Sequence, residues 1–349
     1  MRIEPRARVP IALVLLAPIG AILASLVLCS GLIALAGAPV LGAFALTIEG
    51  AVGSTFAIAA TLTKATPLIF TGLSVAVAFR SNLWNIGAEG QLYLGAIAAV
   101  LLGGGILNLS PLLMIPLLFA GGFVAGAMLL LMPATLKIRF GVDEVVTTLL
   151  LNFIVLLFVS LLLDGPLKDP AAMGWPQSVP IVDSGILPVL IQGTQLHFGF
   201  VIALAAAGIV WLINARSVWG YEMRVVGANP RAARFAGVPV SRVLFRVALI
   251  SGGLAGLAGV SEVTGPSGYL TNGLSPGFGY TGIVVATLAR LHPVGVVLSA
   301  IFMASVFIGA DAMSRSLKVP NYIADVTVSV TLLTVLVADL LVRYRVRRG

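Results

Sequence analysis

Asn82, Asn85, Glu89 and Gln91, with Trp84 among them, stand close together between two runs that otherwise belong in lipid. Their amides and carboxylate can hydrogen-bond a polar solute, and an indole can stack on a ring. Stripping such groups of water is costly unless new partners replace it. They must therefore face a cavity, a polar pathway or the membrane surface. Asn152, Glu262, Phe278 and Tyr280 are the other residues of this kind in or beside apolar runs. Together they make a candidate substrate pathway. A second reading stays open for each, because polar side chains between helices also satisfy backbone wherever a helix is broken.

Bond-making chemistry is missing. A phosphate-binding GxxxxGK[ST] loop needs a Gly-Lys pair, and the lysines here follow Thr63, Leu136, Leu167 and Leu317. His197 and His292 are isolated and are expected at the membrane interface, while the single Cys29 builds neither a disulfide nor a thiolate metal site. No HExxH string occurs. No catalytic residue, metal or cofactor is therefore expected on this chain. An ion-coupled carrier would place an acid or histidine deep in a span. Glu49, Asp143, Glu144, Asp311 and Asp339 fall at predicted span ends instead, and Asp325 falls near the start of the last one. Glu89 and Glu262 are the exceptions, so proton or sodium coupling is not favoured.

The elements that position these residues follow from composition. Hydrophobic residues make up 59% of the chain and charged residues 10%, against roughly a quarter charged in a soluble domain. Several runs approach the length of about 20 residues that crosses a bilayer. The fold class is an all-α polytopic membrane protein, one transmembrane domain over residues 1–349. Its bundle holds about ten transmembrane helices. The predicted spans are Ile11–Ala36, Phe56–Phe79 with Pro67 inside it, Ala88–Ile106, Leu112–Leu136, Val145–Leu163 and Phe198–Asn214. Val247–Val263, Tyr280–Leu291, Val294–Ala310 and Ile323–Val342 complete the set. The first is too long for a typical cleaved signal and is read as a retained helix. With the N-terminus inside, every Lys and Arg except Lys64, Lys168, Arg315 and Lys318 falls on the cytoplasmic side. The positive-inside rule then puts both termini in the cytoplasm. The net charge of +8 is scattered between spans, which argues against a nucleic-acid partner.

Two polar segments are long. Residues 164–197 form an external loop rich in Pro and Gly, and residues 215–246 form a cytoplasmic loop. In the second, Asn229-Pro230 starts a short helix through Arg231, Ala232, Ala233 and Phe235, and Gly237 stops it. Such a helix can lie on anionic lipid or insert into a partner protein. Gly122-Phe-Val-Ala-Gly126 and Gly252-Gly-Leu-Ala-Gly256 have the spacing for close helix packing.

Pro67-Leu-Ile-Phe-Thr-Gly-Leu73 and Asn85-Ile-Gly-Ala-Glu-Gly-Gln91 resemble an ABC importer permease of the ribose, branched-chain amino acid and nucleoside group. Leu149-Leu-Leu-Asn152, Gly165-Pro-Leu-Lys-Asp-Pro170 and Pro176-Gln-Ser178 resemble the nucleoside permeases served by basic-membrane-protein-type lipoproteins. Val226-Gly-Ala-Asn-Pro-Arg-Ala-Ala-Arg-Phe-Ala-Gly-Val238 looks like the group's coupling loop, and Gly277-Phe-Gly-Tyr-Thr-Gly282 with His292-Pro-Val-Gly295 is a further match. The resemblance implies that Gly227, Asn229, Pro230, Arg231, Ala232, Ala233, Phe235 and Gly237 dock on an ATPase. It implies a second permease subunit, identical or homologous, and a cytoplasmic ABC ATPase with two nucleotide sites that holds the ATP and Mg. It also implies an external solute-binding lipoprotein and a bacterial inner-membrane location. The solute implied is neutral and polar, with nucleosides first and ribose-like sugars second.

Overall fold

Apolar runs punctuated by Gly, Pro and Arg fold as helices along most of the chain. The computed structural model describes residues 2–5, 20, 23–25, 27–31, 33–34, 37–105, 107 and 109–347. Much of the predicted first span, Ile11–Ala36, lies outside the described residues; those described within it are helical. The helices that follow are α1 (Val40–Val52), α2 (Thr55–Arg80), α3 (Ala88–Gly103), α4 (Pro111–Phe140), α5 (Glu144–Asp164) and α6 (Gly199–Arg216). Then come α7 (Val218–Ala228), α8 (Pro230–Phe235), α9 (Val240–Glu262), α10 (Phe278–Leu288), α11 (Pro293–Leu317) and α12 (Asn321–Arg343).

Local chemistry sets these limits. Pro111 opens α4, and Gly141 closes it in the left-handed region at φ 69°, its N–H reaching the Lys137 carbonyl. Asp143 caps α5 by accepting from the Val145 N–H at 2.7 Å. Among the described residues seven helices, each the counterpart of a predicted span, are long and apolar enough to cross a membrane, and α1, α3 and α10 are shorter apolar helices. Two of the helices were not expected, nor was the strand pair at the chain ends described below. At 13 residues α1 is short for a span, and in α7 the charges of Glu222 and Arg224 interrupt the apolar pattern. Nor does the predicted seventh span begin at Val247. It begins at Val240, after Pro239, because helix geometry tolerates Arg242 and Arg246 where an apolar count does not.

The chain divides into two compact units, residues 62–300 and residues 1–61 with 301–349. In the latter, Cys29, Ile33, Ala43 and Met313 form a buried cluster, and the Ser25 and Thr331 hydroxyls meet at 2.6 Å. Arg2–Pro5 pairs antiparallel with Tyr344–Arg347, so the two ends of the chain leave on one side. In the 62–300 unit the two glycine patterns face each other. A Cβ on Gly256 would strike the Gly122 carbonyl oxygen, and one on Gly126 would strike that of Gly252. Gly95 and Gly259 bring α3 against α9 in the same way. Backbones thus touch backbones across α3, α4 and α9, the packing expected where lipid offers no hydrophobic drive.

The 164–197 loop is ordered by hydrogen bonds to the segment after α9. Ser178 N–H donates to the Leu270 carbonyl at 3.0 Å, Ile181 to Gly268 at 2.8 Å and Leu187 to Thr264 at 2.8 Å.

Candidate functional site

The polar knot starts where α2 ends. Asn82 stands in the left-handed region at φ 56°, which asparagine tolerates. The chain then runs irregularly to α3, and its freed groups need partners. Asn85 supplies several. Its Oδ1 accepts from the Gly87 N–H at 3.0 Å and from Gln91 Nε2 at 2.8 Å. Its Nδ2 donates to Gln91 Oε1 at 2.9 Å and to Ser251 Oγ at 3.0 Å. Ser251 in turn donates to the Ser74 carbonyl at 2.8 Å. One side chain therefore ties together α2, the link, α3 and α9.

A second brace comes from α5. Asn152 Oδ1 accepts from the Gly90 N–H at 2.9 Å, satisfying one of the open donors in the first turn of α3. Its Nδ2 donates to the Ile86 carbonyl at 2.8 Å and to the Tyr280 hydroxyl at 3.2 Å. Glu89 Oε2 accepts from the Gly279 N–H at 2.6 Å, a carboxylate at the positive start of α10. Thr71 donates to the Phe278 carbonyl at 3.0 Å. Glu144 accepts from the Trp84 N–H at 3.1 Å and pairs with Lys137, which also donates to the Asn82 carbonyl at 2.9 Å.

Burial sorts the candidates. Asn85, Glu89, Gln91 and Asn152 are at most 3% exposed, with their hydrogen bonds made inside the chain. Trp84 and Tyr280 are 46% and 37% exposed, and Asn82 is exposed as well. Phe278 is fully buried, with the Lys64 ammonium 4.8 Å from its ring centre. Glu262 is buried at the end of α9. Among the described residues, no hydrogen bond joins Glu262 to the knot. Ser74, Ser251, Thr71 and the Lys137–Glu144 pair complete the network and are not among the site residues the sequence points to. Their only signal was a hydroxyl or charge within or beside an apolar run.

Gly273-Leu-Ser-Pro-Gly277 has the Gly-x-Ser-x-Gly spacing of a hydrolase nucleophile elbow. An elbow needs a strand before the serine; here Ser275 lies in a loop and its Oγ accepts from the Phe278 N–H at 2.9 Å, capping α10. That role is structural.

The segment 215–246 holds α7 and α8. Asn229 ends one and caps the other, its Oδ1 accepting from the Arg231 and Ala232 N–H groups at 3.0 and 3.1 Å. Pro230 takes the first helical position. Ala233 is buried, whereas Arg231, Ala232 and Arg234 are exposed and Phe235 is 95% exposed. Gly237 stops the helix at φ 81°. Gly227 sits directly on the end of α2: a Cβ there would collide with the Arg80 carbonyl oxygen and lie 3.3 Å from the Ser81 Cα. The loop therefore bears on the residues that lead into the knot.

The model of the permease component of branched-chain amino acid transport systems matches residues 57–337. The chain belongs to this permease family. It is thus a multi-pass membrane protein and the permease component of an ABC transporter, not its catalytic one. It is 33% identical to the glucose ABC transporter permease TsgB13 of Haloferax volcanii, over all of this chain and 95% of that one. It is 34% identical to the guanosine ABC transporter permease NupP of Bacillus subtilis, over 92% of each. A solved ABC transporter of metal-chelate type, inward-facing, shares the fold with a TM-score of 0.50 at 16% identity, covering 93% of this chain and 99% of that one.

Proposed function

We propose that this permease moves a neutral polar solute inward, a purine or other nucleoside first. A separate ABC ATPase with two nucleotide sites would supply the energy, holding the ATP and Mg. The observation that carries the coupling part is the seat of Gly227 on the Arg80 carbonyl. A push delivered to Phe235 on α8 reaches the end of α2 through this contact, because there is no side chain between the two backbones to absorb it. Two discrete packings of the link would then open the bundle to one face or the other.

In this reading Asn82, Trp84 and Tyr280 line the pathway, and Asn85, Glu89, Gln91 and Asn152 hold the wall behind them. Phe278, with Lys64 over its ring, and Glu262 stand further along it. Exposed aromatic rings next to fixed amides suit a base that stacks and a ribose that hydrogen-bonds. The guanosine permease among the relatives supports that solute class. A simple sugar is the second reading, favoured by the glucose permease matched over the full chain. The assembly includes a second permease subunit, an external solute-binding lipoprotein and the surrounding lipid of a bacterial inner membrane. About ten spans with both ends cytoplasmic agree with the charge pattern and with the pairing of the two ends.

The test is co-purification with the cognate ATPase in lipid, followed by ATP hydrolysis with receptor plus guanosine, adenosine, ribose or glucose. Stimulation by nucleosides above sugars is expected; stimulation by glucose alone replaces the first reading with the second. Uptake driven by a proton or sodium gradient without any ATPase would remove the importer assignment.

A further inference from the structure

On α9, Arg242, Phe245, Arg246 and Leu249 follow the i, i+3, i+4, i+7 spacing that puts side chains on one helix face. This face, with Arg234 and Val238 from the end of α8 and the turn after it, lines a cleft of about 600 Å³. Among the described residues three guanidinium-bearing side chains share the cleft, and no acidic residue lines it. Arg246 is held from behind, by Glu222 at 3.2 Å and by the Trp219 ring at 5.1 Å. Arg234 and Arg242 are exposed and, among the described residues, have no ion-pair partner. Like charges gathered in one concavity create a positive potential that an anion relieves. Arginine in particular matches the oxygens of a phosphate.

The other wall is apolar. Phe245 is half-buried and Leu249 is 41% exposed, one helical turn further into a span that is apolar beyond it. A free phosphate would leave that wall bare. A molecule with a phosphate at one end and hydrocarbon at the other covers both. We propose that this cleft binds one anionic phospholipid, with its phosphate on Arg234 and Arg242 and an acyl chain along Phe245 and Leu249. The inference rests on the cytoplasmic placement of residues 215–246 proposed above. There the start of α9 meets the headgroup layer, where anionic lipid attracts basic residues. Bound lipid would bridge α8 to α9 and fix the angle at which Phe235 is presented.

The experiment uses the purified permease alone, in detergent, without ATPase or solute. Dioleoyl-phosphatidylglycerol and dioleoyl-phosphatidylcholine are titrated separately, and bound lipid is counted by native mass spectrometry beside the thermal midpoint. Retention of phosphatidylglycerol with a raised midpoint is expected, and little of either from phosphatidylcholine. Arg242→Gln weakens the anionic lipid about fivefold, the effect of one basic residue near a charged surface. Arg139→Gln, at an exposed arginine outside the cleft, leaves it unchanged. Equal retention of the two lipids overturns the proposal, and so do equal losses in the two variants. Competition by glycerol phosphate at the same concentration assigns the cleft to a free phosphate and overturns it too. Displacement of the lipid, one for one, by added ATPase gives the cleft to the protein interface, which again overturns it. The headgroup comparison on the unmodified protein stands even if Arg242→Gln does not fold. Nucleoside-stimulated hydrolysis is measured independently, so failure of one reading is distinguishable from failure of the other.

Discussion

The link Asn82–Gly87 with the start of α3 and the segment Asn229–Val238 are both polar interruptions in a membrane protein, yet they handle their exposed chemistry in opposite ways. In the first, Asn85 and Gln91 exchange two amide hydrogen bonds and are essentially inaccessible. In the second, one capping asparagine spends its side chain on backbone, and Phe235 stands 95% exposed. An internally satisfied network holds a wall in place. An unsatisfied apolar surface awaits something else. The contact of Gly227 with Arg80 joins the two, so a rigid element and a receptive one lie in series.

The rigid part can be broken hardest at the glycines. Gly256→Val puts a branched side chain into the Gly122 carbonyl, where backbone cannot yield. A loss of more than about 3 kcal/mol is expected, enough to remove folded protein. Gly208→Ala, which meets nothing within 4 Å in α6, is the matched control and should gain up to about 1 kcal/mol. Fluorescence-detected size exclusion with a thermal ramp compares the two. Equal behaviour would mean that the α4–α9 contact does not hold the fold.

Next in size is Asn85→Ala, which leaves the Gln91 amide, the Ser251 hydroxyl and the Gly87 N–H short of partners. A cost of about 3 kcal/mol is expected in the thermal midpoint. Asn85→Asp should not rescue it, since a carboxylate cannot donate to Gln91 Oε1. If the midpoint holds while uptake disappears, Asn85 is a solute ligand and the contrast between brace and surface falls.

These outcomes bear on what sequence could reveal. The spans were legible because hydrophobic runs and arginines are local signals, and α2 through α5 begin and end within a few residues of the pattern. The α8 helix was legible for the same reason, since Asn229, Pro230 and Gly237 spell its start and stop. The brace was not. Asn85 depends on Ser74 and Ser251, and Asn152 on Gly90 and Tyr280, partners drawn together only by the packing of α2, α3, α9 and α10. A polar residue among apolar ones advertises that it needs a partner, not which partner it has. Hence the sequence grouped the buried Asn85, Glu89, Gln91 and Asn152 with the exposed Trp84 and Tyr280 in one pathway set, and only burial separates them.

His197 offers a third condition, a buried polar atom left unpaired. It is 1% exposed, its Nδ1 accepts from the Gly199 N–H at 3.2 Å, and its Nε2 has no partner among the described residues. Burial pushes its pKa down from the usual value to about 4. The folded state therefore refuses a proton that the unfolded chain accepts, and stability falls as pH drops from about 6.5 to about 4. Above that window both states are neutral and the penalty vanishes. The whole shift corresponds to roughly 3 kcal/mol at most. His197→Asn should lose this part of the acid sensitivity, read as a smaller drop in thermal midpoint between pH 7 and pH 4.5. An unchanged drop would show that the imidazole is free to take up its proton.

The smallest effect on the permease itself, and the sharpest test of the contrast, is Phe235→Ala. Nothing is left unpaired when an exposed ring is removed from α8, so the midpoint should stay within about 0.5 kcal/mol of the parent. The ring's energy is realised only against a partner. An aromatic anchor at the centre of an interface contributes about 2 kcal/mol or more, so binding of the ATPase should weaken about thirtyfold. Arg231→Ala, on the exposed side of the same helix, should cost less unless an acid on the ATPase meets it. Pull-down with the cognate ATPase and stimulated hydrolysis at saturating ATPase separate affinity from coupling. If raising the ATPase concentration restores full stimulation, Phe235 serves docking alone. A deficit that persists at saturation makes the ring part of the push carried through Gly227 to Arg80. Unchanged assembly and stimulation in both variants would assign docking to another surface and leave α8 without its partner.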